Sequence, residues 1–108
     1  MKLRPLDIRL TKHAVFEKIQ NAKLLADVED WGTLTHMCQL VNDTIAYTPD
    51  RQDEWQDPVT TWALRTGDCE DFAILKMALA QALNLSPGSY LAAVEGGMHA
   101  IAVFQNPS

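Results

Sequence analysis

Cys69 and His99 are the residues whose side chains, acting together, would do chemistry rather than support a fold. A cysteine attacks as its thiolate, and an imidazole titrating near neutrality can take that proton and return it. Cys69 lies in Thr66-Gly67-Asp68-Cys69-Glu70-Asp71-Phe72-Ala73-Ile74-Leu75-Lys76, which reads as a turn entering a helix. Gly67 permits a sharp entry and Asp68 is a good N-cap, so Cys69 falls in the first turn, at the positive end of the helix dipole. Backbone N–H groups there favour a thiolate and can hold an oxyanion.

The acids around the thiol oppose it. Asp68, Glu70 and Asp71 place negative charge beside a group that must itself become negative. A carboxylate about 6 Å away, at an effective dielectric of about 20, resists ionisation by roughly 2–3 kcal/mol. The dipole returns only about 0.3–1 kcal/mol, and about 2 at best. A reactive Cys69 therefore needs a neighbouring imidazolium or a cation that neutralises the acids; alternatively, the acids only cap the helix. The remaining residues of these types read as structural. Cys38 sits on an apolar helical face as a small core residue, and His13 and His36 lie on helices without partners, as surface or packing residues. Two cysteines make no disulfide framework, and no C-x-x-C spacing points to a metal.

The elements that would position the pair follow from periodicity. Residues 11–29 read as a helix capped by Thr11, with Val15, Phe16, Ile19, Ala22, Leu25, Ala26 and Val28 on one stripe. Asp30-Trp31-Gly32-Thr33 breaks it, with Gly32 suited to a helix end and Thr33 or Asp30 to a new start. A second helix runs to about Ala46, burying Leu34, Met37, Cys38, Val41 and Ile45. Tyr47 to Gly67 is a long connection, with a short helical turn at Val59–Leu64 begun by Pro58. Trp55 and Trp62 read as its anchors, Trp62 being able to border a cleft. The third helix, entered at Cys69, is largely buried and closes near Asn84. After a turn at Leu85-Ser86-Pro87-Gly88, strands Ser89–Glu95 and Met98–Phe104 flank Gly96-Gly97, a strong hairpin signal. That loop sets Val94 opposite His99, Ala92 opposite Ile101 and Tyr90 opposite Val103, with small Ala92 and Ala93 admitting a helix closely. The expected fold is α+β, with three helices packed on a small antiparallel sheet.

The chain of 108 residues is expected to form a single domain, 1–108, with 47% hydrophobic and 21% charged residues. A net charge of −5 without a basic stripe argues against a nucleic-acid surface. The opening Met1-Lys2-Leu3-Arg4-Pro5-Leu6-Asp7 has no apolar run, and no segment reaches membrane-spanning length. The expected location is cytoplasmic, or periplasmic if an export signal has been trimmed. Asn42-Asp43-Thr44 matches a glycosylation sequon but falls in mid-helix.

Five local words carry a resemblance. Val41-Asn42, Trp55, Pro58-Val59-Thr60-Thr61, the run Gly67-Asp68-Cys69-Glu70-Asp71-Phe72-Ala73-Ile74-Leu75-Lys76, and His99-Ala100 together resemble the bacterial transglutaminase-like cysteine proteinases, over about residues 31–104. That family includes periplasmic proteases that cut large surface adhesins. The resemblance implies a papain-like core, with Cys69 as nucleophile and His99 as general base and acid. It implies a protein or peptide substrate and an acyl-enzyme released to water or to an amine. It also implies calcium held by acids at the cysteine, here Asp68 and Glu70, which would offset the repulsion described above. The family completes its triad with an Asp on the strand after the histidine strand. Here nine residues follow His99, and Asn106 lies about 23 Å away along an extended chain. Three readings follow: a strand cut away, a working dyad, or a scaffold kept as a binding or regulatory module. Loss of the orienting carboxylate can cost about 10⁴ in rate. A last strand carrying Ile101, Val103 and Phe104 would also leave an apolar edge able to pair with a second copy or a peptide.

Overall fold

In the computed structural model, which describes residues 3–5, 12–49, 56–94 and 100–104, four α-helices and five β-strands follow one another among the described residues. They are β1 (Leu3–Pro5), α1 (Lys12–Ala22), α2 (Leu34–Thr44), β2 (Ala46–Tyr47), α3 (Pro58–Leu64), β3 (Thr66–Gly67), α4 (Cys69–Ala82), β4 (Tyr90–Val94) and β5 (Ala100–Val103). The fold is α+β. An antiparallel sheet runs in the order β1-β4-β5, and β2 pairs with β3 in parallel. Four α-helices rather than three stand among the described residues, because the expected turn before Thr66 is a complete helix. The Asp57 carboxylate accepts the Val59 N–H, Pro58 occupies the first turn where no N–H is needed, and Arg65 closes the end at φ 62°.

Helix α4 is the spine, packing on α1, α2, α3, β4 and β5. Ile74, Leu75, Met77, Ala78, Leu79 and Ala80 are all buried, so this helix is apolar nearly all round, as an enclosed helix must be. Full burial of a Leu or Ile is worth about 1.5–3 kcal/mol. Helix α2 turns Met37 and Val41 inward, with Ile45 buried at its end and Leu34 and Cys38 half-buried, the face its spacing predicts. Trp62 is buried and meets Trp31 edge-to-face at 4.9 Å in this core, which anchors its segment. Trp55 lies outside the described residues.

The first helix is shorter than its apolar pattern suggests. It ends at Ala22 and tightens into a 3-10 turn over Lys23–Leu25. The Ala26 and Val28 N–H groups reach back three residues, to Lys23 and Leu25, and the Trp31 indole donates to the same Leu25 carbonyl at 2.8 Å. Phe16 and Val28 are more than half exposed although they belong to the expected stripe. The Thr11 cap lies outside the described residues. At the far end of α4, Asn84 adopts φ 58°, and the Leu85 and Ser86 N–H groups both donate to the Ala80 carbonyl, a left-handed closure as expected.

The hairpin register matches the reading from the two glycines: Tyr90 pairs with Val103 and Ala92 with Ile101. The Val94–His99 pair and Gly96-Gly97 lie outside the described residues. Strand β1 was not expected; three residues ending in Pro5 are too short to show a period. Among the described residues β5 is bonded to a strand on one side only, and no helix is long and apolar enough to cross a membrane.

Candidate functional site

The tip of α4 is built around Asp68 and Asp71. The Asp68 carboxylate accepts the Asp71 N–H, and the Asp71 carboxylate accepts the Asp68 N–H, both at 3.1 Å. This reciprocal capping box is the structural use of acids that the charge pattern left open. The second Asp71 oxygen accepts the Gln56 N–H at 2.8 Å, tying the segment before α3 to the tip. Burial pushes the Asp71 carboxyl up to about 6, against the two amide donors, which favour the charged form. Gly67 serves proximity here rather than a sharp turn: a Cβ on it would lie 2.8 Å from the Asp71 Cβ.

Cys69, half-buried, occupies the first turn of α4 and lines a groove of about 330 Å³. Phe72, Ala73 and Lys76, three, four and seven residues further on, continue the same helical stripe and form one wall. Ile101 and Ala102 of β5, with Phe104, form the opposite wall, and Tyr47 completes the described lining. The Tyr47 and Phe72 rings lie 6.3 Å apart, and the Lys76 ammonium sits 5.9 Å from the Phe72 ring centre. The lining is apolar except for the thiol, the phenol and one cation. It can hold an extended or acyl chain against sulfur.

Of the two residues read as a catalytic pair, Cys69 faces this groove, and His99 lies outside the described residues. Asp68 and Glu70, read as calcium ligands, follow a different pattern. Asp68 is buried and commits one oxygen to the Asp71 N–H, while Glu70 is half-buried. Calcium takes about six to eight oxygens, and among the described residues no three His, Cys, Asp or Glu side chains gather to hold a metal. The described donors supply only a fraction of a calcium shell.

The other candidates resolve individually. Cys38 packs against the core, where burial pushes its thiol up while nearby Lys76 opposes the shift. His36 does have a partner, contrary to the reading from its helix. Its Nδ1 lies 2.9 Å from the Trp31 carbonyl, and a carbonyl only accepts, so Nδ1 carries the proton. That bond folds the ring over Gly32, which sits at φ +65°. The Thr33 hydroxyl caps α2 by accepting the His36 N–H, as one of the two expected starts. The His13 side chain lies outside the described residues.

Sequence reasoning missed Tyr47, Ile101 and Phe104 as walls of a site, and treated Phe72 and Lys76 only as parts of a buried helix. Their spacing from Cys69 was the available signal for the latter two. No protein-family model matches the chain, and neither a curated protein nor a solved structure matches it.

Proposed function

We propose that this chain is a cysteine peptidase or amide hydrolase of the transglutaminase-like kind, with a papain-like core, Cys69 as nucleophile and His99 as its base. One observation carries the reading: the groove has Cys69 on one wall and β5 on the other. His99 precedes Ile101 of that wall by two residues, and successive Cα atoms are about 3.8 Å apart. Connectivity therefore tethers the imidazole-bearing residue within about 7 Å of a residue that lines the groove. The GDCEDFAILK word and the first-turn position of the thiol support the same assignment.

The chemistry balances within the pair. His99 takes the Cys69 proton, and the sulfur attacks the amide carbonyl carbon as the carbonyl π pair moves to oxygen. Collapse breaks the C–N bond, the imidazolium protonates the departing amine, and a thioester remains. Water or an amine, deprotonated by His99, attacks the thioester, and the C–S bond breaks to return the thiol. Calcium, where bound, would neutralise charge at Asp68 and Glu70, and none of these steps runs through it.

The test uses Cys38 as an internal control. Iodoacetamide labelling, read residue by residue by mass spectrometry, is expected to modify Cys69 at least about tenfold faster than Cys38. Equal rates with and without added calcium would end the enzyme reading.

A further inference from the structure

We propose that Lys76 is a specificity residue that selects peptides carrying an Asp or Glu side chain about three residues from the scissile carbonyl. The inference rests on Cys69 marking the reacting end of the groove. Cys69, Phe72, Ala73 and Lys76 share one stripe of α4. At about 1.5 Å of rise per residue, the seven-residue step from Cys69 to Lys76 spans about 10 Å. An extended peptide covers that distance in about three residues, at about 3.3 Å each. Between the two points the walls are hydrocarbon: Phe72 and Ala73 on one side, Ile101 and Phe104 on the other. A chain laid along the groove from the thiol therefore meets an apolar stretch and then a cation.

Three features make that cation a receptor for a carboxylate. Among the described residues, Lys76 is the only Lys or Arg lining the groove. Among the described residues no carboxylate pairs with it; its neighbours in the fold include the Phe72 ring at 5.9 Å and the Cys38 thiol. An ammonium held against a ring keeps hydrogen-bond donors for a ligand. Charge also orders the groove along its length, because Asp68 and Glu70 flank the thiol end and would repel a carboxylate placed there. In a chain of net charge −5, a groove that ends on a cation is the exception, and it favours one orientation of an acidic peptide over its reverse. The occupant is a peptide running through the groove, with an apolar side chain near the reacting carbonyl and the acidic one beyond it.

Fluorescent decapeptides with a central apolar residue, carrying Glu, Gln or Lys three positions to either side, test this by binding to the Cys69→Ala chain. The Glu peptide is expected to bind about fivefold more tightly than its Gln twin, the worth of one half-exposed ion pair. Adding Lys76→Met should remove the difference, and Lys76→Glu should invert it in favour of the Lys peptide, which a structural role for Lys76 would not do. Equal binding of all three peptides, a preference that survives Lys76→Met, or no measurable binding of any peptide would overturn the proposal. Cleavage of the same peptides by the unaltered chain reports separately on the nucleophile, so binding preference without cleavage would remove the peptidase and leave Lys76 as the selector.

Discussion

Cys38 and Cys69 are both half-buried thiols on helices, yet their surroundings differ in kind. Cys38 lies within α2 against the core, and burial alone dominates its environment. Cys69 sits at the first turn of α4, beside a capping box, on the wall of a groove. Equal exposure therefore does not mean equal chemistry. What separates the two is the end of a helix against its middle, and the open space in front of one of them.

The largest expected effect sharpens that difference. Cys69→Ala should lower peptide hydrolysis by about 10⁴-fold or more, since a lost nucleophile leaves only binding and electrostatics. Cys38→Ala should leave turnover within about twofold. Hydrolysis assays on both purified variants decide it: parity between them would mean that the groove binds without cutting, as a non-catalytic module would.

The cap that holds Cys69 in place should betray itself in pH dependence. The Asp71 carboxyl is raised from 3.8 to about 6, so the fold favours its neutral form. Its contribution to stability is complete below about pH 4 and is lost as pH rises through about 6, by up to about 3 kcal/mol at about 1.4 kcal/mol per unit. Urea unfolding of the parent and of Asp71→Asn from pH 4 to 7 should show the gap between them shrinking as pH rises. A gap that widens with pH would mean that the amide donors outweigh burial.

A smaller perturbation acts on the same cap from the other side. Gly67→Ala inserts a methyl 2.8 Å from the Asp71 Cβ and should displace the carboxylate from the Asp68 and Gln56 amides. The expected cost is about 2 kcal/mol in urea unfolding, with slower labelling of Cys69 and unchanged labelling of Cys38. Loss of reactivity at both thiols together would point to global loosening instead.

Much of this was legible because it is local. The apolar run after Cys69, the Asp-x-x-Asp spacing at its start, Asn84 at its end and the double-glycine loop each fix structure within a few residues. Helix α4 and the β4–β5 register follow from them. The failures share the opposite property. The first helix gives way to a 3-10 turn whose Leu25 carbonyl takes the Trp31 indole N–H, six residues on, and no periodicity encodes that bond. His36 acquires its partner only once Gly32 turns left-handed and brings the Trp31 carbonyl over the ring. Tyr47 reaches the groove through a parallel pair of two-residue strands, Ala46 with Thr66 and Tyr47 with Gly67, too short to leave a pattern. Within the groove, the helical wall could be read from spacing, and the facing wall could not.

Strand β1 pairs Leu3 with Val94, and β4 in turn holds β5. Residues 3–5 thus meet their partners only after residues 92–94 have been made, a contact order that slows folding relative to the helices around α4. On a ribosome the helical layer can condense while the sheet is still waiting for residues 90–103 to emerge. The wall that carries the thiol would then be made well before the β5 wall that faces it.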